Sequence, residues 1–318
     1  MNTFDLQIQS TASDGTHTPA EIVAMAKERG VITIALTDHD TVAGVGEAIA
    51  AAKPDSMKEE ESHVCVIPGI EMSVEEHGLH ILGYGIDCTN EKLLQSLEQS
   101  KHGRIAGAQK MVENLQSAGF AVTWDNVLAQ ATGAVVARPH LARAVLGRVE
   151  NRQKLGGIAT VHDFIETFLS DENPNYVRRS HILAADAIDL IRYAGGVAIW
   201  SHPAIHFRND PDGLEQMLRQ LMAWGIGGME IFNPSHAEDD VEYLEGLVTK
   251  YNLLRTAGSD FHERRKSTDP QSASVGSFAR DSRGLHSAEF IGDYETYGFS
   301  TEGILERLDE AMGQKKGA

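Results

Sequence analysis

Cysteine is almost missing from this chain. Cys65 and Cys88 are the only two among 318 residues, and neither belongs to a C-x-x-C pair. That excludes a disulfide-stapled scaffold and a Cys-rich structural metal site, and it predicts a reduced, cytoplasmic compartment. Basic residues are also scarce: 28 Lys and Arg stand against 46 Asp and Glu, a formal charge of 28 − 46 = −18. A chain this acidic repels polyanions at long range, which argues against a broad surface for duplex DNA. A small phosphorylated ligand gripped by a few local cations remains compatible with it. No apolar run approaches the ~20 residues that cross a bilayer, and the N-terminus lacks a basic segment followed by an apolar stretch. Neither export nor a membrane span is expected. Internal repeats and low-complexity tracts are absent as well.

Apolar residues make up 42% of the chain, enough for a large core. The length suits one large α/β domain, or one domain with an insertion. Short apolar runs alternate with helical patterns. FDLQIQ reads as a strand. Thr18-Pro19-Ala20-Glu21 opens a helix with a capping box, and Gly30 ends it. VITIAL is a second strand, with Asp40 as the expected cap of the Ala-rich helix that follows. VCVIPGIEMSV and LHILGYGI give further strands, and MKEEESH (57–63) a solvated loop. From about 91 to 180 three or four helical segments follow one another with almost no strand signal. Alternation then resumes with a helix at 182–195, GGVAIWSHP, a helix near 212–224, GGMEIF, a helix near 237–251 and LLRTAGSD. Repeated βα units favour a parallel sheet, open or closed into a barrel, with the helical block as an insertion. Residues 263–299 read as loop-rich.

The His, Asp and Glu residues at strand ends are the informative ones, because sites in parallel α/β barrels are built on that rim. Asp14 follows the first strand and Asp38-His39-Asp40 the second. Glu71 lies in PGIEMS, His80 in LHILGY, His202 in WSHP, and Asp260 and His262 in GSDFH. Taken singly, each has a plain structural explanation: a turn residue, a helix cap, a buried histidine. Their repetition at nearly every strand end points instead to a metal centre. Mixed imidazole and carboxylate suit Zn, Mn or Fe. Clustered cations about 3.5–4 Å apart cleave phosphate esters with a metal-activated hydroxide, and Glu71 could bridge two of them.

The series DLQIQSTASDG, LTDHDT, PGIEMS, HILGY, SHP and TAGSDFH resembles, in order and in neighbouring residues, the PHP superfamily of metal-dependent phosphoesterases. The resemblance implies a distorted (β/α)7 barrel, formed by residues 1–90 and 181–318. A helical insertion, 91–180, would cap the substrate. It also implies two or three Mn, Fe or Zn ions. The insertion and EIFNPSH are similar to the branch acting on 3′,5′-nucleoside bisphosphates or the ends of short RNA. By the same mapping, residues 7 and 9 with Glu71 and Asp260 hold one ion. Glu71, His80 and His202 hold a second, and Asp14, His39 and His262 a third. The chain departs from the family at its first motif, where Gln7-Ile8-Gln9 replaces His-x-His. A neutral amide oxygen is a poorer donor than imidazole to these ions, so the first position is expected to be weak, empty or filled by a harder ion.

Further residues follow from the resemblance. Asp260, His202 and His236 form the implied catalytic set, with His236 a candidate proton donor to the leaving group. Arg104, Arg138, His140, Asn233 and His236 are the implied substrate contacts, since an Arg fork pairs with two phosphate oxygens at once. A solvated helix terminus explains Arg138-Pro139-His140 too, and a turn capped by Ser235 explains Asn233 and His236. Two other functions stay open: a nucleotide-binding or regulatory module weakened at Gln7 and Gln9, and an amidohydrolase-like enzyme. The second lacks a strand-end Lys to carry a carboxylated bridge.

Overall fold

The computed structural model describes residues 2–53, 63–131, 136–170, 172–177, 182–263 and 288–315. The loop expected at 57–62 and most of the loop-rich stretch at 263–299 lie outside them. Seven strands follow chain order in one sheet: β1 (Phe4–Ile8), β2 (Thr33–Leu36), β3 (Cys65–Ser73), β4 (His80–Tyr84), β5 (Val197–Trp200), β6 (Gly228–Phe232) and β7 (Leu254–Ala257). The ends of the sheet meet where the Gln9 amide donates to the Phe261 carbonyl at 2.9 Å, so the barrel is nearly closed. Strands β1, β5 and β6 are buried at every position, which explains why they read as runs rather than alternations.

One strand overturns the all-parallel expectation. β4 runs antiparallel to both β3 and β5. Parallel strands need a crossover of about a dozen residues, and the link from Ser73 to His80 is too short for one. The chain therefore turns straight back, with the Val74 amide bonded to the Leu79 carbonyl at 3.0 Å. The reversal puts the first residue of β4, His80, on the same rim as the last residues of its neighbours.

Helix α1 (Pro19–Glu28) carries the expected capping box between Thr18 and Glu21. Gly30 closes it at φ +69°, a left-handed conformation that glycine adopts without Cβ strain. Helix α2 (Val45–Ala52) begins after Gly44, so Asp40 does not cap it. Asp40 instead accepts bonds from the Ser73 amide and hydroxyl, both at 2.9 Å, fastening the loop after β2 to the end of β3.

Helices α3 (Glu91–Ser117), α4 (Trp124–Leu128), α5 (Arg138–Leu146), α6 (Arg152–Leu155) and α7 (Val161–Phe168) stand between β4 and β5. They have their own apolar core around Met111, Leu115, Leu141, Val145 and Phe164. Helix α3 joins it to the barrel: Leu93 and Leu97 pack with the barrel strands, Ala108 to Leu115 with α5 and α7. Helices α8 (Ala184–Tyr193), α9 (Ala204–Phe207), α10 (Pro211–Trp224), α11 (Glu238–Tyr251) and α12 (Ile304–Lys315) complete the chain. No helix among the described residues is long and apolar enough to cross a membrane.

Candidate metal centre

The rim loops are held by a layer of polar contacts beneath them. Asp38 accepts the Ser10 amide at 2.7 Å and the Ser10 and Ser13 hydroxyls at 2.7 and 2.6 Å, which shapes the turn that carries Asp14. Gly15 closes that turn, where a Cβ would stand 2.3 Å from the Gln9 carbonyl oxygen. The Thr16 amide then bonds the His262 carbonyl at 2.8 Å, so the loops bearing Asp14 and His262 are stitched together. Asp40, His202 and Asp260 sit at positive φ of 51°, 27° and 50°. Such backbone is costly outside glycine and persists where surrounding structure enforces it.

Glu71 is the hub. Its side chain is fully buried. Oε1 has four polar neighbours: His80 Nδ1 at 2.9 Å, Gln7 Nε2 and Ser201 Oγ at 3.1 Å, and His202 Nε2 at 3.3 Å. Oε2 meets Gln9 Nε2 at 2.6 Å and His39 Nδ1 at 3.5 Å. Burial pushes the Glu71 carboxyl up, but His39, His80 and His202 outweigh it and hold it well below the usual carboxylate range. The converse holds for His202: burial opposes its charge, yet Glu71 and Asp260 raise it to about 9.

A second cluster adjoins the first. Asp14, His39 and His262 bring one ligand atom each within 4.8 Å of one another, and so do His39, Glu71 and His80. The imidazoles form a row, with ring centroids 6.0 Å apart for His262 and His39, 5.0 Å for His39 and His80, and 5.2 Å for His80 and His202. His262 Nε2 stands 3.5 Å from Asp14 Oδ1, too far for a good hydrogen bond. Burial raises the Asp14 carboxyl, but His262, His39, His140 and Arg143 pull it down to about 2. His262 is raised to about 9 by Asp14 and Asp260 against the effect of burial. Asp14 Oδ1, His39 Nδ1 and His202 Nδ1 are buried without a hydrogen-bond partner among the described residues. Buried polar atoms left this way call for a cation. The donor atoms gathered here fit divalent cation binding.

The position assigned to Gln7 and Gln9 does not fit a cation. The ligating atom of an amide is its oxygen. Gln7 Oε1 accepts from Asn233 Nδ2 at 3.2 Å, and Gln9 Oε1 accepts from the His39 amide at 3.0 Å and from Ser13 Oγ at 3.2 Å. Both amide nitrogens donate to Glu71. The two side chains thus supply partial positive charge where an ion would stand, and their oxygens are already engaged elsewhere.

The remaining expected residues lie at varied distances from this centre. Asp260 is on the rim, its Oδ1 3.8 Å from His262 Nδ1 and outside both clusters. Asn233 is turned inward, donating to Gln7 and, at 2.9 Å, to Glu230. His236 is buried and donates from Nδ1 to the Ile231 carbonyl at 2.7 Å, which leaves Nε2 as an acceptor; burial lowers the ring to about 4. His140 is buried at the start of α5, its Nδ1 accepting the Ala137 amide at 3.0 Å. The Arg138 guanidinium lies over the Tyr176 ring, 5.1 Å from its centroid, within the helical block. Arg104 is on α3, and its side chain lies outside the described residues.

Four residues outside the expected site set also contribute. Ser201, in SHP, touches both Gln7 and Glu71. Asp38, named at the second strand end without a role, anchors the first turn. Glu230, mid-strand between Met229 and Ile231, is fully buried and accepts the His202 amide at 3.0 Å; burial holds its carboxyl well above the usual range. Arg143 extends from α5 to the Asp14 carbonyl. Ser201 and Asp38 had a sequence signal, their place at strand ends, and Glu230 and Arg143 had none.

A barrel rim with this donor set defines a metal-dependent phosphoester hydrolase. The PHP domain family matches residues 5–222, and the chain belongs to it. Among relatives, the chain is similar to a 5′-3′ exoribonuclease of Haemophilus influenzae, 32% identical over 261 residues, covering 81% of this chain and 89% of the relative. It is similar to a 3′,5′-nucleoside bisphosphate phosphatase of Chromobacterium violaceum, 30% identical over 265 residues, covering 82% and 88%. Of solved structures, one described as an amidohydrolase from C. violaceum, with bound sulfate and no metal, superposes with a TM-score of 0.78 at 27% identity, covering 97% and 96% of the two chains. Another, described as a metal-dependent phosphoesterase from Bifidobacterium adolescentis, gives 0.71 at 26% identity, covering 89% and 92%.

Proposed function

We propose that the chain hydrolyses a phosphoester of a small nucleotide, a 3′,5′-nucleoside bisphosphate or the end of a short RNA, with two divalent ions of the Mn, Fe or Zn kind. Asp14, His39 and His262 hold one ion, and Glu71, His80 and His202 the other. Residues 91–180 form an insertion domain that covers the substrate. The observation that carries this reading is the Asp14, His39 and His262 ligand group standing beside a buried Glu71 whose Oε1 lies 2.9 Å from His80 Nδ1 and 3.3 Å from His202 Nε2. The substrate class is supported by the two relatives, which act on a nucleoside bisphosphate and on RNA.

When bound, such ions neutralise phosphoryl charge and lower the pKa of a water. The chain's own residues do the rest. Glu71 sets the ligand spacing from the floor of the mouth. Ser201, Gln7 and Gln9 fix its carboxylate orientation. Loss of such outer partners typically costs 10- to 100-fold in metal affinity. His236 can take up a proton at Nε2, because Nδ1 is committed to the Ile231 carbonyl. In this tautomer it gives no proton to a leaving oxygen until it has itself gained one.

The test is release of inorganic phosphate from adenosine 3′,5′-bisphosphate and of mononucleotide from short 5′-phosphorylated RNA, with Mn and after chelation. Metal-dependent turnover of either supports the hydrolase. The bonding of both amides to Glu71 favours a second reading, a nucleotide-binding module. Tight nucleotide binding without turnover under Mn, Fe or Zn would establish that reading instead.

A further inference from the structure

We propose that Arg143 is a positioning residue that fastens the helical insertion to the Asp14 arm of the metal centre. This rests on the two-ion reading above and extends it to a residue outside the ligand set. The Arg143 Nη1 and Nη2 groups donate to the Asp14 carbonyl at 3.4 and 3.3 Å. Nη2 also stands 3.7 Å from a Glu263 carboxylate oxygen. One side chain therefore spans the loop after β1, the segment after β7 and helix α5. These two loops carry Asp14 and His262, already joined by the Thr16 amide.

Helical spacing explains how α5 does this. Residues three apart share a face, so His140 and Arg143 point the same way. Arg138, at the first helical position, is committed instead to Tyr176 and to the Leu169 carbonyl at 3.4 Å. The two arginines of α5 thus divide the work: Arg138 braces the insertion internally, and Arg143 ties it to the rim. The Arg143 side chain is 20% exposed, so its bonds form in a partly desolvated setting where they hold geometry.

The tie makes a specific demand. The ion held by Asp14, His39 and His262 depends on Arg143, and the ion held at Glu71 does not. The experiment titrates Mn into metal-free wild type, Arg143→Ala and Arg143→Lys, and counts ions per chain by plasma mass spectrometry. KM and kcat are then measured for adenosine 3′,5′-bisphosphate. In Arg143→Ala one of the two ions should bind about 10- to 100-fold more weakly, with the other unchanged. At subsaturating Mn, kcat should fall more than KM rises, and excess Mn should recover it. Arg143→Lys should recover part of the affinity, since it keeps charge without the fork. If Arg143→Ala does not fold, the lysine variant decides, with a weakening of several-fold expected. Lys110→Ala, which removes a surface pair with Glu113 on α3, serves as the silent control. Unchanged affinity for both ions overturns the proposal. So does a rise in KM alone with metal binding intact, which would make Arg143 a direct grip on the substrate. If wild type binds two ions but turns over no nucleotide, the functional reading fails while the titration still judges Arg143.

Discussion

The two sides of the barrel mouth are bonded in opposite ways. On one side Asp14 Oδ1 stands 3.5 Å from His262 Nε2 and His39 Nδ1 3.5 Å from Glu71 Oε2, and these two buried atoms have no hydrogen-bond partner among the described residues. On the other side Gln7, Gln9 and Asn233 form hydrogen bonds of 2.6 to 3.2 Å in which every amide oxygen and nitrogen is used. The same scaffold holds both. An open ligand shell stays under-bonded because its natural partner is a cation, and a closed one satisfies itself with neutral dipoles. The Glu71 carboxylate belongs to both sides and shows the exchange most directly: each of its oxygens meets both an imidazole and an amide nitrogen.

The sharpest way to break the contrast is at its shared residue. Glu71→Ala should abolish the ion at its own cluster and reduce turnover by more than the about 100-fold that loss of an outer partner costs. Phosphate release and ion counts together check this. Asp260→Ala tests a residue beside the open side; metal-dependent hydrolysis should be lost, and retention would remove Asp260 from the site. Converting the closed side into an open one is the complementary experiment. Gln7→His with Gln9→His should add up to one ion per chain and raise the hydrolysis rate, as read by elemental analysis and initial rates.

Acidity offers a milder handle. In the metal-free chain His202 and His262 are raised to about 9. A histidine raised on folding stabilises the fold fully below its ordinary value of about 6.5, and that contribution is lost as pH rises through the folded value. Metal-free protein should therefore lose stability between about pH 6.5 and 9 in thermal melts. Ions compete with those protons, so Mn affinity should climb with pH up to about 9, with proton release on binding below it. The smallest expected effect is on the closed side. Asn233→Ala leaves Gln7 and Glu230 short of a buried donor and should cost about 1–3 kcal/mol in chemical denaturation, with no change in ion count.

Much of this centre was legible in the sequence because strand ends carry their ligands in short, separate motifs. Asp14, His39, Glu71, His80, His202 and His262 converge through six of the seven strands, which could be read one at a time. Direction was not legible. An apolar run looks the same whichever way it lies in a sheet, so His80 was placed on the rim by a rule for parallel strands and reaches it through an antiparallel one. Asp40 illustrates a different gap. A helix cap and a bond to Ser73 make equal sense locally, and only the position of β3 selects the second. Arg143 and Glu230 depended on tertiary placement entirely: one on how α5 turns toward the barrel, the other on a carboxylate hidden among apolar neighbours in β6. The amides of Gln7 and Gln9 were visible as a departure, but their bonding to Glu71 required coordinates.

The backward strand has a mechanical consequence. Because β4 begins at the mouth, it ends at Tyr84 on the opposite end of the barrel, and the chain must climb back before Arg143 of α5 can meet the Asp14 carbonyl at the rim. Helix α3 makes that climb: 27 residues correspond to about 40 Å of continuous rod. Its foot is set among the barrel side chains and its far half among those of the insertion. A rod of that length tilting by about 5° at its foot sweeps its tip through roughly 3 Å. A small tilt at the foot is thereby geared up into ångström-scale displacement of the far half of the rod.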